Sequence, residues 1–286
     1  RSSAMIGLVA AFDGLGTKLT AHVLLSAAAL LLGIALALPL AVWASRSRRV
    51  AAVALGLASL VQTIPALALL ALFYPVLVNL GSLTGWPIPA FGFTPALLAL
   101  TLYALLPILR NAVTARQRMD PEVLEAADAL GMTSWQKLRL VEAPLAMPFI
   151  VAGIRTAAVW TVGAATLATM VGQPSLGDPI FAGLQIQNWS LVLAGCTLAA
   201  GLALTVDFLI GQIEAGLSFR RRWQAALAGL AIVAGLASCL ATTSAASGNG
   251  RPHAVIGAKN FSEQFILARL IGQRLEAKGY SVDYRD

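Results

Sequence analysis

Six long apolar runs, separated by short polar segments, dominate the chain: residues 20–44, 50–80, 94–114, 147–171, 189–213 and 223–241. Apolar runs of roughly 18 or more residues predict helices that cross a bilayer core about 30 Å thick. The second run is longer than such a core requires, so it is expected to be tilted, kinked or partly interfacial. Pro65 and Pro75 are the expected kink points. After residue 241 the pattern changes. Residues 242–252, TTSAASGNGRP, are small and polar and predict a linker. A short apolar stretch at 253–258 predicts a strand. Ile266, Leu270, Ile271 and Leu275 then recur at helical spacing, with Arg269, Gln273, Arg274 and Glu276 opposite. Asn260 followed by Glu263 has the form of a capping box, Gly279 suits a helix end, and SVDY resumes a strand. So short a strand–helix–strand stretch cannot bury a core alone and is expected to open a larger α/β domain.

The composition agrees with the hydropathy pattern. The 286 residues are 58% hydrophobic and 12% charged, where a soluble domain averages about 25% charged. An ordinary soluble domain is excluded. The net charge of +7 raises the question of nucleic acid. The basic residues instead cluster between the apolar runs, and no basic stripe is interleaved with aromatics, so nucleic acid is not expected as a partner. Arg46, Arg48 and Arg49 follow the first run. Arg110, Arg116, Arg118, Lys137 and Arg139 lie around the segment between runs three and four, and Arg220, Arg221 and Arg222 precede the sixth. The alternate segments, 81–93 and 172–188, contain no Lys or Arg. The positive excess marks cytoplasmic loops, which puts the N-terminus and the segment after run six outside. His22 and Trp189, near the outer boundary, are expected to be interfacial. Cys196, Cys239, His22 and His253 have no metal-ligand spacing, so no metal is expected. The chain begins at Arg1 rather than at a methionine and stops at Asp286 in mid-pattern, and is read as open at both ends.

The segment 120–142 is charged and helix-forming between two oily runs. Asp120 is the expected cap of a helix opened by Pro121, with Glu122 in its first turn. Gly131 suits a left-handed turn, Ser134 is the expected cap of a second helix at 135–141, and Pro144 marks the return to the membrane. The result would be a compact knob. On these residues alone, a solvated loop lying on the membrane is equally open.

The order Glu125-Ala126-Ala127, three residues, Gly131, nine residues, Val141-x-Ala143-Pro144 resembles the EAA motif of ABC importer permeases. The motif's usual ending is Ile-x-Leu-Pro, so Val141 and Ala143 depart mildly from it. QTIPALALLALF (62–73), LYALLPILRNAV (102–113), AGIRTA (152–157) and SLGDPIFAGL (175–184) are similar to permeases of osmoprotectant importers for glycine betaine, choline or carnitine. GAKNFSEQFILARLIGQRLEAKGY (257–280) resembles the start of the matching substrate-binding protein. The resemblance implies an all-α polytopic membrane protein with the type I ABC importer permease fold. That fold has five core transmembrane helices, joined here by a sixth to the start of an α/β periplasmic-binding-protein-like domain. The implied layout is an outer segment at 1–19, a permease domain at 20–219 with a coupling loop at 115–146, a sixth span or signal-like anchor at 220–241, a linker at 242–252, and an incomplete binding domain from 253. It also implies that Glu125, Ala126, Ala127, Gly131 and Pro144 couple to a cytoplasmic ATPase, and that the chain is no enzyme itself. No G-x-x-x-x-G-K-[ST] loop is present, so ATP and Mg belong to a separate subunit and no cofactor is expected on this chain. One coupling element per chain implies two permease copies, most simply a homodimer with two ATPases, in the bacterial inner membrane and in contact with its lipid.

Several residues carry two readings. Gln62, Thr63 and Pro65 fall mid-membrane and either line the translocation path or form a packed kink. Arg155 and Asp207 lie at similar depth and are candidates for a structural ion pair, though Arg155 alone could snorkel to the headgroups. Residues 220–239, ending in Leu-Ala-Ser-Cys, resemble a lipoprotein signal, and Cys239 either belongs to an intact fusion in which the signal serves as the sixth span or is the site of cleavage and lipidation. A quaternary amine needs a cation–π cage. Most of such a cage would lie beyond residue 286. Asn260, Ser262 and Glu263, at a helix N-terminus, are candidates for the ligand's polar groups, with plain capping equally open for Asn260. Another betaine-like solute such as ergothioneine, another amino-acid solute, or a transmembrane sensor without transport, are the competing functions. A secondary transporter fits less well, because no paired interrupted helices occur in two matching halves.

Overall fold

The computed structural model describes residues 15–218, 222–247, 253–257 and 262–285. Six helical segments among these are long and apolar enough to cross a membrane. Five of them, and the sixth as far as Ala237, belong to one unit, and residues from Ser238 form a second.

Helix α1 (Leu15–Ala44) is the first span. The long second run is two helices, α2 (Arg48–Thr63) and α3 (Ala66–Thr84), broken at Ile64-Pro65. This corrects the single span expected at 50–80. Pro65 forces the preceding residue out of the helical region, and Ile64 is extended with ψ 126°. Only α3 has spanning character. Pro75, the other expected kink point, stays inside α3. Helix α4 (Phe93–Gln117) is the centre of the unit, with 56% of its most apolar window buried. It packs against α1, α2, α3 and the fourth span.

Helices α5 (Pro121–Ala129) and α6 (Ser134–Lys137) form the knob. A π-turn at Leu138–Glu142 joins α6 to α7 (Ala143–Ala164), and a 3-10 segment follows at Ala165–Val171. The segment expected as a loop at 172–188 contains a further helix, α8 (Gly177–Gln185). Helix α9 (Trp189–Ser218) packs on α7 and α8, and α10 (Arg222–Ser247) is the sixth span.

Close helix approach rests on small residues, because lipid gives apolar side chains little reason to associate. The interior of α1, α2 and α4 is largely alanine, including Ala37, Ala41, Ala54, Ala58 and Ala104. A Cβ on Gly153 of α7 would lie 2.7 Å from Asn111 Cβ and 2.9 Å from the Pro107 carbonyl oxygen of α4. The sixth span is peripheral: 6% of its most apolar window is buried, and Ile232 packs beside Ile210 and Ala158.

In the second unit, β1 (His253–Gly257) and β2 (Ser281–Arg285) pair in parallel, with His253 opposite Ser281. Helix α11 (Ser262–Ala277) connects them, and Gly279 has φ +88°. The strand–helix–strand order follows the sequence pattern.

Candidate functional site

The knob is built from local signals. Asp120 accepts a hydrogen bond from the Glu122 N–H and caps α5, whose first residue is Pro121. Gly131 has φ +70°, the left-handed conformation that ends α5 and turns the chain. The cap of α6 is Thr133, not Ser134. Its hydroxyl accepts from the Gln136 N–H at 3.3 Å, and Gln136 Oε1 accepts from the Thr133 N–H at 2.9 Å. That reciprocal pair satisfies two orphan donors, which Ser134 could not do from one position later. Lys137 Nζ lies 2.7 Å from both Asp128 carboxylate oxygens and ties α6 to α5.

The end expected for the second helix at Val141 is also corrected. The chain runs helically from Ser134 through Val171. Pro144 has no N–H to give to residue 140, and its ring crowds that carbonyl. The backbone widens instead: the Ala143 N–H reaches back five residues to the Leu138 carbonyl. Of the sequence-predicted coupling residues, Ala127 is buried, Glu125, Ala126, Gly131 and Pro144 are exposed or nearly so, and Leu130 and Trp135 beside them expose 75% and 67% of their surface. Large apolar side chains exposed on so charged a segment are a feature of partner surfaces.

At the break in the second run, the Gln62 side-chain amide donates to the Tyr103 carbonyl at 3.4 Å, and the Tyr103 hydroxyl donates to the Ile64 carbonyl. Thr63 donates to the Leu60 carbonyl, and Thr63 and Pro65 are exposed. The interruption is thus fastened to α4, and its free edge is Thr63 and Pro65.

Arg155 and Asp207 meet. Arg155 Nε and Nη2 each lie 2.7 Å from an Asp207 oxygen, a bidentate pair between α7 and α9. Glu214, which the sequence reading did not include, joins them: Arg155 Nη1 donates to its carboxylate at 3.2 Å. The guanidinium lies over Gly211, where a Cβ would come within 3.1 Å of Cζ. Asp207, Gly211 and Glu214 are spaced four and three residues apart, one face of a helix, so the helical period carried the missing signal.

His22 corrects an expectation. It is fully buried, not interfacial. Its Nε2 bonds the Val162 carbonyl at 3.0 Å, and its Nδ1 accepts from the Leu176 N–H at 3.3 Å. Those partners fit the neutral ring with the proton on Nε2. Beside it, Asp178 accepts from Thr169 at 2.6 Å and pairs with Lys18 at 3.4 Å. Gly177 allows the closest approach among the described glycines, since a Cβ there would sit 1.8 Å from the Thr166 carbonyl. Trp189 is exposed.

Cys239 lies within α10, which continues to Ser247. Ser262 and Glu263 begin α11, while Asn260 lies outside the described residues.

Residues 29–224 match the family model described as the inner membrane component of binding-protein-dependent transport systems. The chain belongs to that family. The permease is 39% identical over 193 residues to the glycine betaine/carnitine/choline transport system permease protein OpuCB of Bacillus subtilis, covering 68% of this chain and 83% of that protein. It is 40% identical to the carnitine transport permease protein OpuCB of Listeria monocytogenes, over the same shares of the two chains. It is 38% identical to the osmoprotectant import permease protein OsmW of Salmonella typhimurium, over 68% of this chain and 86% of that one. Its fold is that of a chain in inward-facing crystal structures of the MetNI methionine ABC transporter, with TM-score 0.59 and 22% identity over 69% of this chain and 93% of that one. These relatives are membrane transport components, and the permease is a multi-pass inner-membrane protein of that kind. Membership implies association with ATPase subunits and a substrate-binding protein.

Proposed function

We propose that the permease moves quaternary-amine osmoprotectants inward, driven by ATP that a separate cytoplasmic subunit hydrolyses with Mg. The observation that carries the coupling half of this reading is the knob. Its left-handed Gly131 stands between Leu130 and Trp135, both exposed on a charged segment. We assign Glu125, Ala126, Ala127, Gly131 and Pro144 to an EAA-type coupling element seated in the ATPase. The small alanines and the glycine let the partner's backbone approach.

The solute class rests on the relatives, whose names specify glycine betaine, carnitine and choline. Such solutes bear a permanent charge that no proton transfer removes. A path must therefore stay polar or aromatic, and Gln62, Thr63 and Pro65 are the proposed lining, with the exposed edge formed by Thr63 and Pro65. Arg155 and Asp207 are proposed to hold the fourth and fifth spans together. Residues from 253 are proposed to open the importer's own binding domain on the outer side, with Asn260, Ser262 and Glu263 near its ligand and the chain intact through Cys239. Two copies of the permease with two ATPases form the proposed assembly.

The test is uptake by proteoliposomes carrying the permease, its ATPase and the whole binding domain. ATP-dependent accumulation of labelled glycine betaine, choline or carnitine is expected. Accumulation of a primary amino acid instead would replace the solute class.

A further inference from the structure

We propose that the permease holds one anionic phospholipid in an amphipathic slot at the Arg-rich ends of the first, third and fourth spans. The slot has two adjoining parts. The inner part is an apolar crevice of about 180 Å³ between α1, α4 and α7, walled by side chains such as Leu38, Ala41, Ala146 and Ile150. The outer part is a polar cavity of about 430 Å³, walled by Arg46, Arg116, Lys137, Ser134 and Glu142. Val42, Ser45, Arg116, Leu138 and Glu142 line both, so the two adjoin across these side chains. The slot is therefore greasy within the span and basic at its end.

Its charges point to an anion. Arg116 is neutralised by Glu142 at 3.2 Å, and Lys137 by Asp128 at 2.7 Å. Arg46 has no carboxylate partner among the described residues. The cavity keeps a surplus positive charge, and its paired cations still have donors to offer a phosphate. A free phosphate would fit the cavity but leave the adjoining crevice unfilled. A phospholipid would set its headgroup in the cavity and part of an acyl chain along the crevice, and basic pockets between spans on this side of a membrane suit acidic headgroups. The slot lies against α6 and the π-turn, so an occupant would brace the knob against the end of α1.

The test uses the permease in complex with its ATPase, in nanodiscs of equal parts phosphatidylglycerol and phosphatidylcholine, extracted and weighed intact by native mass spectrometry. We expect phosphatidylglycerol retained in preference to phosphatidylcholine. Arg46→Gln should lower its occupancy about fivefold, the loss of one basic contact near a headgroup. Arg46 is exposed and unpaired, so that change does not threaten folding. Arg139→Gln, at an exposed position of the π-turn and outside the slot, should leave occupancy unchanged. Equal retention of the two lipids, undiminished occupancy in Arg46→Gln, or an equal loss in Arg139→Gln would each overturn the site. Displacement of the lipid by millimolar inorganic phosphate would overturn the phospholipid as its occupant.

Discussion

Neutralising Asp207 tests how the fourth and fifth spans are held. Asp207 makes both of the 2.7 Å contacts to Arg155, while Glu214 makes one at 3.2 Å. A hydrogen bond to a charged group contributes about 1.5–3 kcal/mol. These side chains are 30–38% exposed in the single chain, so solvent screening lowers that figure. Asp207→Asn keeps one acceptor for the guanidinium and leaves Arg155 paired with Glu214. A loss of about 1–2 kcal/mol is expected. Glu214→Gln removes the weaker contact and should cost about 0.5–1 kcal/mol. Arg155→Gln strands two carboxylates on one face of α9, so it should cost most, about 2–3 kcal/mol. The assay is reversible unfolding of the purified permease in mixed micelles, followed by helical circular dichroism, for each single variant and for Arg155→Gln/Asp207→Asn. The double variant should fall short of the summed single losses by about 1 kcal/mol, the coupling expected of groups in direct contact. Strict additivity, or a larger loss for Glu214→Gln than for Asp207→Asn, would refute the argument.

Three further outcomes follow from the geometry. His22→Phe leaves the buried Leu176 N–H without its acceptor and should cost about 1–3 kcal/mol, read as a lowered unfolding midpoint; an unchanged midpoint would mean that another acceptor takes over. Gly153→Val drives a side chain into the Pro107 carbonyl and Asn111 of α4, and should cost about 1–3 kcal/mol by overpacking, with an unaltered midpoint counting against the close crossing. Gly131→Leu has open space around its Cβ, so its cost is the left-handed backbone, about 1–2 kcal/mol. Membrane insertion should survive while solute-stimulated ATPase activity is lost, and retention of that activity would remove Gly131 from the coupling role.

The spans and the knob were legible because their signals are local. Apolar runs set α1, α4, α7, α9 and α10, and Asp120-Pro121 and Gly131 set the ends of α5. The break at Ile64 was half legible: Pro65 marked the place, but whether a proline kinks a helix or splits it depends on neighbours, here the Tyr103 hydroxyl on the Ile64 carbonyl. Thr133 could have been preferred over Ser134 from Gln136 three residues later. Glu214 was readable too, since it lies seven residues after Asp207 on the same face of α9. His22 was not. Its burial depends on Val162 and Leu176, 140 and 154 residues away, and nothing near position 22 distinguishes a core imidazole from an interfacial one. The helix inside 172–188 was obscured by its short length and by Gly177 and Pro179, residues that mark turns elsewhere.

We propose ATP-driven inward transport of methylated amines through this permease. Its most direct test is the initial rate of labelled glycine betaine and choline uptake into proteoliposomes containing the permease, its ATPase and the whole binding domain, with ATP enclosed beside the ATPase or omitted. Accumulation above the external concentration that requires ATP and disappears in Gly131→Leu is predicted. Uptake that only equilibrates, or that proceeds equally without ATP, would contradict it.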